Sequence, residues 1–428
     1  MNTREGGRLL RRITPDGLPG PDREAVDRAT LDTAAGIVED VRARGEEAVR
    51  EHAVRLGELE EGAPWIASRP ELEAARERVD AGDLQVLESA AERIRDFACA
   101  QFEALGPMET GWPGGRAGHR ITPVRRAGCY IPGGRFPLPS SALMTVITAR
   151  TAGVEEVWAA SPRPADITLA AAAVAGADAL IRVGGAQAVA ALAWGAGEVP
   201  PCDVVVGPGS RWTTAAKQLV SGRVGIDMLA GPSELVVLAD GTADPDTVAA
   251  DLLAQAEHDP DALPVLVSWE EEVLDAVDAA LARQLKDLPT AAVARQAVRG
   301  GFAVAAADLE EAAAVCDRLA PEHLQVVTAD PEEAASRLDH YGALFIGEGA
   351  AEVFGDYGAG PNHVLPTGGT ARYVGGLSVF TFLRVRTWMR SEAGGPDSAL
   401  VRETARLARL EGLEAHARAA ERRLRDSR

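Results

Sequence analysis

The chain is 428 residues long, 46% apolar and 25% charged, which gives it room for more than one core and excludes a disordered tail or a mucin-like stalk as the whole. Its 64 acidic residues outnumber 44 Lys plus Arg, and the formal charge of −20 argues against nucleic acid and membrane as partners. Cys99, Cys129, Cys202 and Cys316 are too scattered for a disulfide framework, no apolar run of about 18 residues suggests a membrane span, and no secretory signal opens the chain, so a cytoplasmic setting is expected.

The first 20 residues are polar and read as an arm. Residues 29 to 57 and 69 to 104 read as long helices, with apolar residues recurring at three and four, and Gly62-Ala63-Pro64 breaks the pattern between them. From residue 121 the pattern changes. ITPVRRAGCYIPGG, EEVWAAS, ALIRVGG and DVVVGPG read as strands, separated by the alanine-rich helices SALMTVITARTAG, DITLAAAAVAG and AQAVAALAWG. The alternation resumes at residue 234 with ELVVLAD, ALPVLVSW, GFAVAAA, HLQVVTA and ALFIGEG and helices between them. Repeated βα alternation predicts parallel sheets covered by helices, and strands without apolar–polar alternation predict burial on both faces. The expected fold is α/β with two doubly wound, Rossmann-like units. One domain comprises 21–129 with 234–378 and the other 130–233, between an N-terminal arm (1–20) and a charged helical tail (379–428).

Glycine turns follow several strands: IPGG at 131–134, VGG at 183–185 and VGPGS at 206–210. Each allows close approach of a cofactor to backbone, but none is GxGxxG, and taken alone ordinary αβ turns account for them better than a dinucleotide site. Tyr130 precedes the first turn.

Three histidine neighbourhoods stand out. Gln255 and His258 are three apart near a helix end and share a face, as a metal-ligand pair or a hydrogen-bonded pair would. Glu322 and His323 are adjacent between a helix and a strand and can handle protons if the loop aims both inward. Asp356 and His363 lie in the glycine-rich stretch 354–363. Gln255, His258 and Asp356 with His416 of the tail would make a mixed nitrogen and oxygen set suited to Zn²⁺ or another borderline ion.

GCYIPGGRFPLPSSALM (128–144), VGGAQAVAALAWGAG (183–197), VVGPGSRWTTAAK (205–217), GRVGIDMLAGPSELVVLAD (222–240), DLLAQAEHDP (251–260), APEHLQV (320–326) and GDYGAGPNHVLPTGG (355–369) together resemble the histidinol dehydrogenase family. That resemblance implies oxidation of L-histidinol to L-histidine in two NAD-dependent steps by a zinc-dependent homodimer with exchanged terminal segments. It implies zinc at Gln255, His258, Asp356 and His416, acid–base roles for Glu322 and His323, and substrate contacts at Ser233 and Glu411 as well as the ligand and acid–base set. It implies nicotinamide contacts at Tyr130 and Gln187, with Ser210 where the family usually carries Asn.

Two features resemble relatives that oxidise sulfopropanediol by the same logic: EHLQ at 322–325, and the segment 371–390. A sulfonate would need a cation such as Arg372 or Arg384. A scaffold that kept the fold without catalysis is the third reading, against which the complete ligand and acid–base set stands.

Overall fold

The computed structural model describes residues 8–19, 26–133, 136–393 and 395–424, arranged on two six-stranded sheets and one three-stranded sheet. Residues 9–13, expected in an arm, are packed into a sheet; residues 1–7 and 20 lie outside the described residues. β1 (Arg11–Ile13) pairs in parallel with residues 302–304, and Leu10 is buried. The Asp278 carboxylate accepts the N–H groups of Leu9 and Leu10, each at 2.9 Å.

The helix expected over 29–57 is two helices, α1 (Arg28–Arg44) and α2 (Glu46–Arg55). They part at Gly45, whose φ of +61° is a conformation that side-chain-bearing residues rarely adopt. Asp27 caps α1 by accepting the Thr30 N–H at 2.9 Å. After β2 (Ile66–Ser68) come α3 (Arg69–Arg76) and α4 (Ala81–Glu103), then the hairpin of β3 (Met108–Trp112) and β4 (Gly115–Pro123).

The first large sheet is built from β5 (Arg126–Tyr130), β6 (Glu156–Ala160), β7 (Ala179–Ile181), β8 (Val204–Val206) and β9 (Gly225–Ile226). Between them run α5 (Pro139–Thr151), α6 (Asp166–Ala175), α7 (Gly185–Trp194) and α8 (Arg211–Val220). The order is β2-β7-β6-β5-β8-β9, parallel except for β2 on β7. α1 packs on α7 and α8, α3 on α6, and α4 on α5. The sequence division that joined 21–129 to 234–378 is therefore corrected: these helices cover the 126–226 sheet. Their apolar stripes, such as Ala34, Val38 and Val41, are the faces that sheet buries.

The second large sheet contains β10 (Glu234–Ala239), β11 (Leu263–Ser268), β12 (Phe302–Ala305), β13 (His323–Val327) and β14 (Ala343–Ile346). Its helices are α9 (Pro245–Ala256), α10 (Glu271–Gln284), α11 (Ala291–Gly300), α12 (Leu309–Leu319), α13 (Pro331–Ala335) and α14 (Glu352–Tyr357). Its order, β1-β12-β11-β10-β13-β14, is parallel throughout. Every residue of β10, β11 and β13 is buried, as the unalternating apolar runs require.

β15 (Leu383–Ser391) pairs antiparallel with all nine residues of β4, so the C-terminal segment shares a sheet with 108–123. α15 (Ser398–Leu410) and α16 (Glu414–Glu421) follow it as a packed pair. Among the described residues, no helix is long and apolar enough to cross a membrane.

The two large sheets are wound alike, each growing both ways from a central strand, β5 in the first and β10 in the second. Residues 227–233 carry the chain from the carboxyl end of β9 to the amino end of β10, around a cavity of about 360 Å³ lined by Asp227, Met228, Glu234, Thr367 and Gly368. That segment thus joins the carboxyl edge of the first sheet to the amino edge of the second.

Candidate active site

β10 and β13 are neighbours, with Leu235 paired to His323, so Ser233, Glu234 and Glu322 converge where both strands begin. The buried Glu322 carboxylate accepts the Ser233 hydroxyl and, at 3.0 Å, the Glu234 N–H. Burial pushes its pKa up. The His323 ring lies 3.1 Å, through Nδ1, from the Glu234 carbonyl oxygen. A carbonyl only accepts, so Nδ1 carries a proton and Nε2 is the nitrogen left to exchange one.

Three carboxylates surround that ring. Glu322 Oε2 is 3.7 Å and Glu352 Oε1 3.9 Å from Nδ1, while Asp356 Oδ1 is 3.5 Å from Nε2. Burial alone would lower the imidazole pKa, but these charges override it and push it up to about 10. Burial also raises Glu352, to about 8. It acts the same way on Asp356, whose carboxyl nevertheless stays below the usual range because His323 stands against it.

Gln255 ends α9 fully buried, with no hydrogen-bond partner for either its Oε1 or its Nε2. An amide rarely enters a core with both ends unsatisfied, so this pair of atoms points to a ligand. His258, just past the helix, has Nε2 3.9 Å from Asp356 Oδ2. His258, Glu352 and Asp356 each offer a ligand atom, all within 4.8 Å of one another. A cleft of about 650 Å³ opens over His258 and Asp356, walled by Leu87, Phe136, Met144 and Tyr357. The donors match the nitrogen and oxygen chemistry expected for zinc.

Glu352 was missed in the sequence, although it lies four residues before Asp356 and so shares its helical face. His363 was noted only as part of the loop. Its Nδ1 is 2.9 Å from the Asp356 carbonyl oxygen, and burial lowers its pKa. Asp356 itself sits in a helix rather than in a loop.

Glu411 and His416 are not brought to this cleft. Both are exposed on the tail helices and line a different cavity with Trp112, Leu400 and Leu407.

The remaining candidates lie at the carboxyl edge of the first sheet, where winding reverses between β5 and β8 and open sheets bind ligands. The Tyr130 hydroxyl accepts the Gly185 N–H at 3.0 Å. Gln187 is fully buried and donates from Nε2 to Glu58 at 2.9 Å, and the same carboxylate accepts the Gly184 N–H. Glu58 also escaped the sequence reading, because 126 residues separate it from the loop it braces. Ser210 is the exposed N-cap of α8 and makes no capping hydrogen bond with its side chain.

Paired Rossmann-like sheets with a buried Glu–His pair at their junction fit an NAD-dependent oxidoreductase. Whole-chain likeness narrows this. The family profile described as histidinol dehydrogenase matches residues 22–424. Histidinol dehydrogenase of Thermus thermophilus is 48% identical over 92% of this chain and 94% of its own length. That of Cereibacter sphaeroides is 46% identical over 92% and 91%. A crystal structure of histidinol dehydrogenase from Elizabethkingia anophelis superposes with a TM-score of 0.91 at 29% identity, covering 98% of this chain and 99% of that one. The chain belongs to the histidinol dehydrogenase family and is an NAD-dependent oxidoreductase.

Proposed function

We propose that this chain oxidises L-histidinol to L-histidine by two successive NAD-dependent steps through the aldehyde, as a cytoplasmic zinc-dependent homodimer. The observation that carries the reading is the convergence of the buried Glu322–His323 pair with Asp356 and His258; the Gln255 amide, three residues before His258, lacks any hydrogen-bond partner among the described residues.

The overall change takes one alcohol, one water and two NAD⁺ to one carboxylate, two NADH and three protons. His323, in its neutral form, accepts the hydroxyl proton of the alcohol at Nε2, the ring atom its backbone hydrogen bond leaves open; a cation held at Asp356 would offset the carboxylates that otherwise favour the imidazolium. Glu322, held by Ser233 and the Glu234 N–H, draws a proton from the water that adds to the aldehyde. Ser233 and Glu411 orient the polar part of the substrate. Gln255, His258, Asp356 and His416 would hold zinc, which when bound supplies a fixed anchor for the substrate's imidazole and amino nitrogens. Tyr130, Gln187 and Ser210 would hold the nicotinamide cofactor, which supplies the hydride acceptor of each step.

The exposed position of Glu411 and His416, away from the cleft of their own chain, supports their delivery to the cleft of a second copy. Mixing a His258-substituted protein with a His416-substituted one should then restore part of the activity, and a fully active monomer would reject the exchange. The polyol reading is less well supported: Arg372 donates to the Gly369 carbonyl and Arg384 to that of Pro123, and neither lines the cleft. A kinetic panel of L-histidinol, sulfopropanediol and simple polyols on zinc-loaded enzyme tests the substrate. L-Histidinol should give two NADH per molecule. A preference for sulfopropanediol beyond about tenfold in kcat/KM would overturn the choice.

A further inference from the structure

Only two of the 44 cationic residues in this chain are lysines. Lys286 is exposed, whereas Lys217 is the largest of the fully buried side chains. Lys217 forms an ion pair with Asp227, and the two side chains are 2% and 0% exposed. Both residues also grip one glycine. Lys217 Nζ donates to the Gly207 carbonyl at 3.0 Å, and Asp227 Oδ2 accepts the Gly207 N–H at 2.7 Å. Asp227 Oδ1 further accepts the Met228 N–H at 2.7 Å.

Gly207 begins the loop between β8 and α8. Its φ is +112°, and a Cβ there would collide with the Tyr130 backbone. The grip therefore fixes the Gly207–Ser210 turn against Tyr130 at the winding reversal of the first sheet. Asp227 also opens the 227–233 segment that leads to Ser233, so the same pair ties this turn to the junction of the two sheets. A compact ammonium with three tetrahedral donors reaches a carboxylate and a carbonyl at once. The planar guanidinium used nearly everywhere else in this chain presents its donors in a wider, flat fork.

We propose that Lys217 and Asp227 are positioning residues for the cofactor, a buried clasp that presets the 207–210 turn before NAD arrives. The proposal rests on the reading of Tyr130, Gln187 and Ser210 as the cofactor side. Nothing in it involves contact between the clasp and substrate or metal.

Two variants and one measurement on the unaltered protein test it. Lys217→Arg keeps the charge and changes its shape; Asp227→Asn keeps the shape and removes the charge. Both should raise KM for NAD by about tenfold or more, leaving KM for L-histidinol and kcat at saturating NAD within about twofold, as expected when only cofactor binding is weakened. Asp278→Asn is the control: it also disturbs a buried carboxylate that accepts backbone N–H groups, and should lower melting temperature without moving KM for NAD. Parallel changes in all three variants would reduce the clasp to a structural element and overturn the proposal. If neither clasp variant folds, hydrogen exchange on the unaltered protein decides. Amides of 206–210 should be protected before NAD is added, and rapid exchange that slows only with NAD would overturn the preset turn. Failure of NAD to protect 128–131, 184–187 and 206–210 alike, in a protein that still binds NAD, would instead reject the cofactor reading.

Discussion

The two edges joined by residues 227–233 differ in how their polar groups are satisfied. At the first sheet, Tyr130 is bonded to Gly185, Gln187 to Glu58, and Lys217 to Asp227 and Gly207; among the described residues at this edge, Gln187 Oε1 and Thr213 Oγ1 are left over. At the second, both amide atoms of Gln255, His323 Nε2 and Glu352 Oε2 are buried without a hydrogen-bond partner. Each such atom costs about 1–3 kcal/mol of desolvation. One edge is nearly complete in itself, its main side chains paired within the fold, and offers shaped backbone. The other is held open by the surrounding fold, and its unpartnered atoms are what a ligand would satisfy.

The largest effect tests the open edge. His323→Ala should lower kcat with L-histidinol by about 10²–10⁴-fold, the usual contribution of a positioned acid–base group. Glu322→Gln should retain more activity toward the alcohol than toward the aldehyde, measured by stopped flow with each substrate. Equal losses in both steps for both variants would dissolve the division of labour.

Gln255→Leu sharpens the comparison by a change of sign. In chelator-treated protein it removes two unsatisfied atoms and should stabilise by about 2–6 kcal/mol. In zinc-loaded protein it removes a ligand, so it should destabilise and lower metal content, because binding to the native state alone adds stability. Denaturant titrations in both states with metal analysis check this; the same sign in both would break the contrast.

Tyr130→Phe probes the nearly complete edge. Loss of its bond to the Gly185 N–H should cost about 0.5–1.5 kcal/mol whether or not zinc is present. A zinc-dependent loss would mean that the two edges are coupled. Ser210→Asn should have the smallest effect, a few-fold lower KM for NAD, because the longer amide reaches farther from a helix start where serine makes no cap bond.

The alternating βα pattern was legible because buried parallel strands have no polar face to obscure them. The edges were not. β1 is three residues long, and β15 carries exposed Arg384, Arg386 and Arg390 along its length, so neither shows an apolar run. The helices before residue 104 were recognisable from their spacing, but an amphipathic stripe does not say which sheet it covers. The site divides in the same way. Gln255 with His258 and Glu322 with His323 are close in sequence, and the structure brings all four to one edge. Glu352 and Glu58 act across the fold, with no local signature beyond the four-residue step from Glu352 to Asp356.

The pairing of β1 with β12 also governs the order of assembly during synthesis. The first sheet is drawn from residues 66 to 226 and its covering helices from nearby, so it can close while the ribosome is still translating the rest. Residues 11–13 emerge before any of it, yet their partners at 302–304 are made roughly 290 residues later. The N-terminal segment must therefore stay unpaired through most of translation and dock on a half-built neighbour. A shortened chain ending near residue 232 should already hold a protease-resistant core, whereas the second sheet becomes complete only when both ends of that long interval are present.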